Sequence, residues 1–226
     1  MKKKVKKKRI KLKSVLLFFL IIGIVFLIVF LYRLLPVRNI YVIGNSVLNE
    51  QEIIDAAILS DYPKIYQVSK DKIKKNLLKN ALINDVTISI TLLGKVTIKI
   101  DENRILYQNN SGEYMLSNGK CIVMKKDDIV VPTLINEIDD DVKELFIKKF
   151  LLVDKNIMLK ISEIEYAKTE LDTERFLFYM NDGNYVYVTL SKITLINSYN
   201  EIYPTLGDKK GVLYLDSGNH FVIKKD

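Results

Sequence analysis

Residues 15–32 read VLLFFLIIGIVFLIVFLY, an apolar run with no charge and no strong helix breaker. As a helix at 1.5 Å per residue the run is about 27 Å long, close to the ~30 Å hydrocarbon core of a bilayer. A helix also satisfies each backbone N–H and C=O internally, as lipid requires. On its N-terminal side stands MKKKVKKKRIKLK, with nine Lys or Arg residues and no acid, whereas only Arg33 and Arg38 follow before the sequence becomes an ordinary mixture. The positive-inside rule then places the N-terminus in the cytoplasm and residues 36–226 outside. The competing reading is a cleaved signal peptide, whose apolar region is typically about 7–15 residues with a small-x-small cleavage site after it. Here Leu31-Tyr32-Arg33-Leu34-Leu35-Pro36 follows instead, which favours an uncleaved anchor.

The 226 residues carry 35 Lys+Arg against 27 Asp+Glu, a formal charge of +8. Without the nine basic residues of the tail, the remainder holds 26 against 27. The basic balance therefore belongs to the tail and not to the folded part. Directly against an apolar span such a tail suits anionic headgroups, at ~1 kcal/mol per charge, better than nucleic acid. The single Cys121 excludes an intramolecular disulfide, and with His220 far away in sequence it is a poor basis for nucleophilic or metal chemistry. In the apolar stretch CIVM, Cys121 reads as a small buried hydrophobe. The exterior part is long enough for one large or two small domains.

Pro36 ends the helix, and Val37–Ile43 alternates as a strand closed by the turn pair Gly44-Asn45. Asn49-Glu50-Gln51-Glu52 has capping-box spacing and precedes an apolar stripe of Ile53, Ile54, Ala57 and Ile58. Ser69 is a second N-cap candidate, for a helix over 70–79 with Ile73, Leu77 and Leu78 on one face. Strands over 85–92 and 95–101, joined at Leu93-Gly94, form a hairpin of β-branched residues with a period of two. The order strand–helix–helix–strand–strand makes a small α+β unit, whose first and last strands are expected to offer edges.

Beyond it, Ile105–Tyr107 and Tyr114–Leu116 flank a turn, and Asn118-Gly119 turns the chain into a strand over 121–124. Ile129–Leu134 reads as an edge segment restricted by Pro132. A helix is expected over 142–157, with apolar positions 142, 145, 146, 150, 152 and 153. Strands follow at 161–166, 176–180 and 185–190, then a helix over 193–206 burying Ile196, Tyr199, Ile202 and Tyr203. The chain closes with strands at 212–215 and 220–223 around the turn Asp216–Asn219. The fold class is α+β: one transmembrane helix, a β-α-α-β-β domain, and a mostly antiparallel β-domain with two helices.

Little here carries chemistry. Asp139-Asp140-Asp141 is the densest acidic cluster, but acids before an apolar helix suit its N-cap and first turn, and the spacing is not that of a calcium loop. Glu163 and Glu165 share a strand face, and Asp101-Glu102 ends the first unit, without a His, Ser or Arg nearby to define acid–base roles. No P-loop, Rossmann fingerprint, G-x-S-x-G or H-E-x-x-H occurs. No catalytic, metal or cofactor site is assigned. The thirteen tyrosines spread along strands, as in a half-buried sheet.

The order of parts resembles the FtsQ/DivIB bacterial cell-division family. Val37–Asn45, ending Val42-Ile43-Gly44-Asn45, looks like the opening strand of that family's POTRA domain, whose end reads V-x-G-N. Ala81-Leu82-Ile83 stands where the family has Pro-Trp-Val. Val86–Ile100 is similar to its hairpin, Asp101–Arg104 to its Glu-Arg, Gly112–Met115 to its Gly-containing strand, and Val131–Leu134 to its l-P-x-l. Leu213–Gly218 is similar to its final hairpin, with Leu215 where a tyrosine often precedes Asp-Ser-Gly. The resemblance implies a basic cytoplasmic tail (1–14), a transmembrane helix (15–35), a POTRA-like domain (37–102) and a β-domain (103–226). It implies a non-catalytic scaffold at the division septum, with no cofactor. Its partners would be FtsL-like and FtsB/DivIC-like single-span coiled-coil proteins and other septal proteins, with the bilayer held through residues 15–35. In that family the complex relays activation to septal peptidoglycan synthesis, and the partner adds a strand beside the C-terminal strand; the resemblance thereby implies Leu215, Asp216, Ser217, Gly218, Phe221, Val222 and Ile223 as the partner-binding positions here.

The residues support such an edge independently, because a final strand is a template for β-augmentation. Phe221 and Ile223 fall on one face, His220 and Val222 on the other, and an alternative stays open in which the apolar residues face the domain's own core. Lys224-Lys225-Asp226 would end the strand in solvent. Two other functions compete: a POTRA-bearing chaperone or transport component, which would carry tandem copies or a pore, and a membrane-stalked extracellular hydrolase, which would need an acidic pair or a nucleophile with its base.

Overall fold

The computed structural model describes residues 12–91, 93–124, 129–206 and 209–224. Most of the basic tail (1–11), Leu92 of the expected hairpin and Lys225-Asp226 lie outside the described residues. The chain divides into two compact units between Glu102 and Asn103.

In the first unit, α1 (Leu12–Arg33) contains the apolar run. Its stretch Val15–Arg33 is long and apolar enough to cross a membrane, and none of it is buried within the protein. Then come β1 (Asn39–Ile43), α2 (Glu50–Ala56), α3 (Lys70–Leu77), β2 (Ile83–Ile90) and β3 (Lys95–Glu102). The capping box forms: Glu52 N–H donates to Asn49 Oδ1 at 2.8 Å, and Asn49 N–H to Glu52 Oε2 at 3.0 Å. The Ser69 hydroxyl accepts from Lys72 N–H at 3.5 Å. Helices α2 and α3 pack on each other, α2 on β1 and α3 on β2, burying Ile53, Ile73 and Leu77.

One expectation is corrected here. The last strand is not an edge: the sheet order is β1-β3-β2. β3 pairs parallel with β1 and antiparallel with β2. Its Val96, Ile98 and Ile100 are all buried, as fits a strand with a partner on each side. Among the described residues the edge strands of this sheet are β1 and β2.

Glu102 closes this unit. Its carboxylate accepts from Ser46 N–H (2.9 Å), Ser46 Oγ (2.7 Å), Val47 N–H (2.8 Å) and Leu48 N–H (3.0 Å), pinning the loop before α2. Burial alone would raise its pKa, but these donors outweigh it and hold the group below the ordinary 4.5. Its contribution is therefore present above pH 4.5 and is lost as pH falls through the lower folded value. Glu102→Ala is expected to destabilise the unit by about 2 kcal/mol, read as faster hydrogen exchange at the Val47 and Leu48 amides. Unchanged exchange there would contradict this role.

The second unit is built on a nine-stranded sheet among the described residues, in the order β12-β11-β10-β9-β8-β7-β4-β5-β6. The strands are β4 (Ile105–Asn109), β5 (Tyr114–Leu116), β6 (Cys121–Ile122), β7 (Thr133–Leu134), β8 (Ile161–Tyr166), β9 (Arg175–Met180), β10 (Tyr185–Thr189), β11 (Gly211–Tyr214) and β12 (His220–Ile223). Neighbours are antiparallel except at β4/β7, β7/β8 and β10/β11. Helices α4 (Asp140–Phe150), α5 (Lys155–Met158) and α6 (Tyr199–Ile202) belong to the same unit. Its core centres on Phe146, Phe150, Phe176 and Phe178, with Ile164, Val186 and Leu213.

Four expectations change. Thr133-Leu134 is central, not an edge, and runs parallel between β4 and β8. Pro132 is no obstacle, since it contributes only its C=O, which accepts from Gln108 N–H at 2.9 Å. The helix over 142–157 breaks at residues 151–154. There the Arg104 guanidinium donates to the Leu151 and Val153 carbonyls at 3.3 and 3.0 Å, and Asn197 binds Leu152 C=O and Asp154 N–H, taking the backbone out of helical pairing. The helix over 193–206 is mostly 3₁₀, over Leu190–Ser198 and Tyr203–Leu206. The fully buried Leu190, Ile193, Ile196 and Tyr199 recur every third residue, the 3₁₀ period. Cys121 is exposed, not buried, because β6 is the outer strand at that end of the sheet.

Candidate functional site

The residues assigned to the C-terminal hairpin come together at one rim of the nine-stranded sheet. β11 pairs parallel with β10 on one side and antiparallel with β12 on the other, and nothing in the chain covers the far side of β12 among the described residues. Lys224 N–H donates to Lys210 C=O at 2.9 Å, and the register sets Val222 against Val212 and His220 against Tyr214. Antiparallel residues bond a given neighbour in alternation, so residues 220, 222 and 224 turn their backbone groups toward β11. Those of Phe221 and Ile223 turn toward the open edge.

The side chains divide differently. Leu215 is 2% exposed and belongs to the core, so it cannot touch a partner with its side chain. Phe221 packs half-buried against the same core, which answers the alternative left open for it. Val222 and Ile223 are each 48% exposed and remain free to contact an added strand. Ser217 and Gly218 lie in the exposed turn, where the Ser217 hydroxyl donates to Asp216 Oδ1 at 3.0 Å.

Asp216 holds the turn to the sheet. Arg175 Nε of β9 donates to Asp216 Oδ2 at 2.7 Å, and Lys192 donates to the Asp216 carbonyl at 2.7 Å. The pair is largely buried, with the carboxylate side chain 9% exposed. Burial would raise the Asp216 pKa, but the Arg175 and Ser217 hydrogen bonds outweigh it and keep the group below its ordinary 3.8. At the other end of β11, Gly211 N–H donates to Asn184 Oδ1 at 2.9 Å. Asn184 Nδ2 in turn donates to the Tyr199 hydroxyl, which donates to Asp182 at 2.8 Å. A Cβ on Gly211 would collide with the Val222 carbonyl and come within 2.7 Å of the Phe221 ring, so only glycine lets β12 lie this close.

The sequence did not reveal a ladder across this rim. Arg175 lies 3.7 Å over the Tyr187 ring. Tyr187 stacks on Tyr214 at 5.4 Å, and Tyr214 stacks on His220 at 4.9 Å. One residue from each of four consecutive strands thus lines up on the face opposite the core, as cross-strand neighbours do. Alternating tyrosines 185 and 187 were the available signal, but which strands flank them is set by long-range pairing.

The acidic candidates have structural partners. Asp139 accepts from Lys168 at 2.5 Å and from the Tyr166 hydroxyl at 3.2 Å, and the Lys168 bond chiefly lowers its pKa. Asp140 and Asp141 occupy the first turn of α4. Glu165 accepts from the Tyr179 hydroxyl at 2.6 Å, a bond that pushes the phenol up to about 12. No cluster of three metal-ligating side chains occurs among the described residues.

Residues 35–103 match the POTRA domain, FtsQ-type. The chain is 29% identical over 230 residues to the cell division protein DivIB of Bacillus subtilis (strain 168), covering 97% of this chain and 85% of that protein. It is 28% identical over 229 residues to DivIB of Listeria monocytogenes, covering 98% and 85%. Among solved structures, the major extracytoplasmic domain of DivIB from Geobacillus stearothermophilus matches with a TM-score of 0.39 and 22% identity, over 48% of this chain and 96% of that one.

Proposed function

We propose that this chain, a division-associated protein of the FtsQ/DivIB kind with an FtsQ-type POTRA domain, works as a non-catalytic scaffold that captures a partner strand on the open edge of β12. The partners are single-span coiled-coil proteins of the FtsL and FtsB/DivIC types, and the assembly helps regulate septal peptidoglycan synthesis. The N-terminus is cytoplasmic, α1 spans the membrane, and residues 36–226 lie outside at the septum, in keeping with the basic residues before the span. The observation that supports this most is the edge itself. Phe221 and Ile223 present outward N–H and C=O groups, Val222 and Ile223 present apolar surface, and the hairpin is anchored at Gly211 and at Asp216. Main-chain bonds would give affinity and the alternate side chains specificity.

Ile223→Pro separates edge from fold. Its N–H points away from β11, so the hairpin keeps its own bonds, while an added strand loses a donor and meets the proline ring. With a photo-crosslinking probe at Val222 in cells, Ile223→Pro is expected to lower capture of a small single-span protein at least about tenfold. A probe at Asn110 serves as the comparison and should capture none. Undiminished capture in the proline variant would place the binding strand elsewhere.

A further inference from the structure

We propose that the face of the POTRA unit around the exit of α1 is a docking surface for anionic phospholipid headgroups, an inference that rests on reading α1 as a membrane span. The helix runs into this unit without a free linker. Leu34 and Leu35 N–H groups close its last turn on the Leu31 and Tyr32 carbonyls at 3.2 and 3.1 Å. Ile65 N–H donates to Leu35 C=O at 2.8 Å, Val37 N–H to Pro63 C=O at 2.9 Å, and Arg38 N–H to Gly94 C=O at 2.9 Å. The Tyr32 hydroxyl reaches Thr91 C=O at 3.5 Å. Gly94 marks how close this approach is: at φ +77°, a Cβ there would sit 2.9 Å from the Pro36 carbonyl oxygen. The loop over 62–66, together with Thr91 and Gly94, is thereby held beside the helix end.

Their depth follows. If residues 15–32 fill the hydrocarbon core, residues immediately after Arg33 lie at headgroup level, a zone about 5–8 Å thick. The segments 33–41, 62–66 and 91–95 carry Arg33, Arg38, Lys64 and Lys95, against one adjoining acid, Asp61. Arg38 and Lys95 line one cavity of about 560 Å³ together with Asn39, Thr91 and Leu93. Leu93, at the hairpin tip, is 79% exposed and places an apolar side chain among these cations. Cations around an apolar tip at this depth suit a phosphate-bearing lipid surface, where the cations hold phosphate and the tip enters the acyl boundary. Lys95 Nζ also lies 4.3 Å over the Tyr41 ring, which keeps the ammonium on this face.

The test uses the full chain in vesicles, with Cys121→Ser and a fluorophore on Leu93→Cys, or on Lys99→Cys four residues along β3 from Lys95 as comparison. Quenching by lipids spin-labelled near the headgroup is followed in phosphatidylcholine with and without phosphatidylglycerol, alongside resistance to carbonate extraction. The expected result is strong quenching at position 93 that rises with phosphatidylglycerol, little at 99, and loss of the rise in Arg38→Gln/Lys95→Gln. Each basic residue removed is expected to weaken the contact about fivefold. A chain that resists extraction but shows equal quenching at 93 and 99, or no dependence on the anionic lipid, overturns the headgroup surface and leaves the span standing. A chain that carbonate extracts overturns the span, and this inference with it.

Discussion

Asp216→Ala should lower the stability of the C-terminal unit by about 3 kcal/mol, because it strands the Arg175 guanidinium in a largely buried position. The same change removes the contact that ties the β11–β12 turn to β9. Denaturant unfolding of the unit measures the first effect and crosslinking from Val222 measures the second; both are expected to fall together. Asp216→Leu with Arg175→Met, which removes both charges while keeping apolar volume, should restore much of the stability. A single variant as stable as the parent would mean that the pair is solvated in solution. The pH dependence has a definite sign. A carboxyl held below 3.8 when folded stabilises above that pH, and the contribution disappears as pH falls through the lower folded value. Asp216→Ala should therefore flatten acid unfolding below pH 3.8 and leave the higher range unaltered in slope.

Phe146→Ala is expected to cost about 3–5 kcal/mol, enough to unfold most of a marginal domain. Its ring stacks on Phe176 at 4.5 Å and on Phe150 at 5.1 Å, and lies 5.8 Å from Tyr107, with none of it exposed. Truncation would leave a cavity bounded by three aromatic rings that cannot collapse without shifting α4 against the sheet. Leu152 is the matching control. It shares the apolar stripe expected for one long helix, yet it lies within the break and is 52% exposed, so Leu152→Ala should stay within about 0.5 kcal/mol of the parent. Equal losses for the two, measured by urea unfolding, would contradict this division of the stripe.

The contrast between these two residues shows where sequence reading succeeded and where it stopped. Asn49 and Glu52, the β2–β3 hairpin and the apolar span are signals carried within a few neighbouring residues, and each appears in the structure as expected. The helix break at 151–154 depends on Arg104 and Asn197, some 40 to 50 positions away along the chain. The placement of Thr133-Leu134 at the sheet centre depends on two partner strands, β4 and β8. The Arg175–Asp216 pair joins residues 41 apart, so that Asp216 reads from sequence only as part of a turn.

By itself the sequence determined the anchor-like run, the β-α-α-β-β unit, the mostly antiparallel second unit and the hairpin at residues 212–223, because periodicity, caps and turn residues act locally. Only the tertiary structure decided which strands stand at the edges, that Leu215 is sequestered while Val222 and Ile223 are not, and that Asp216 braces the rim from β9. Strand order and burial are set by the packing of distant segments into one core, and no local pattern encodes which neighbour a strand will find.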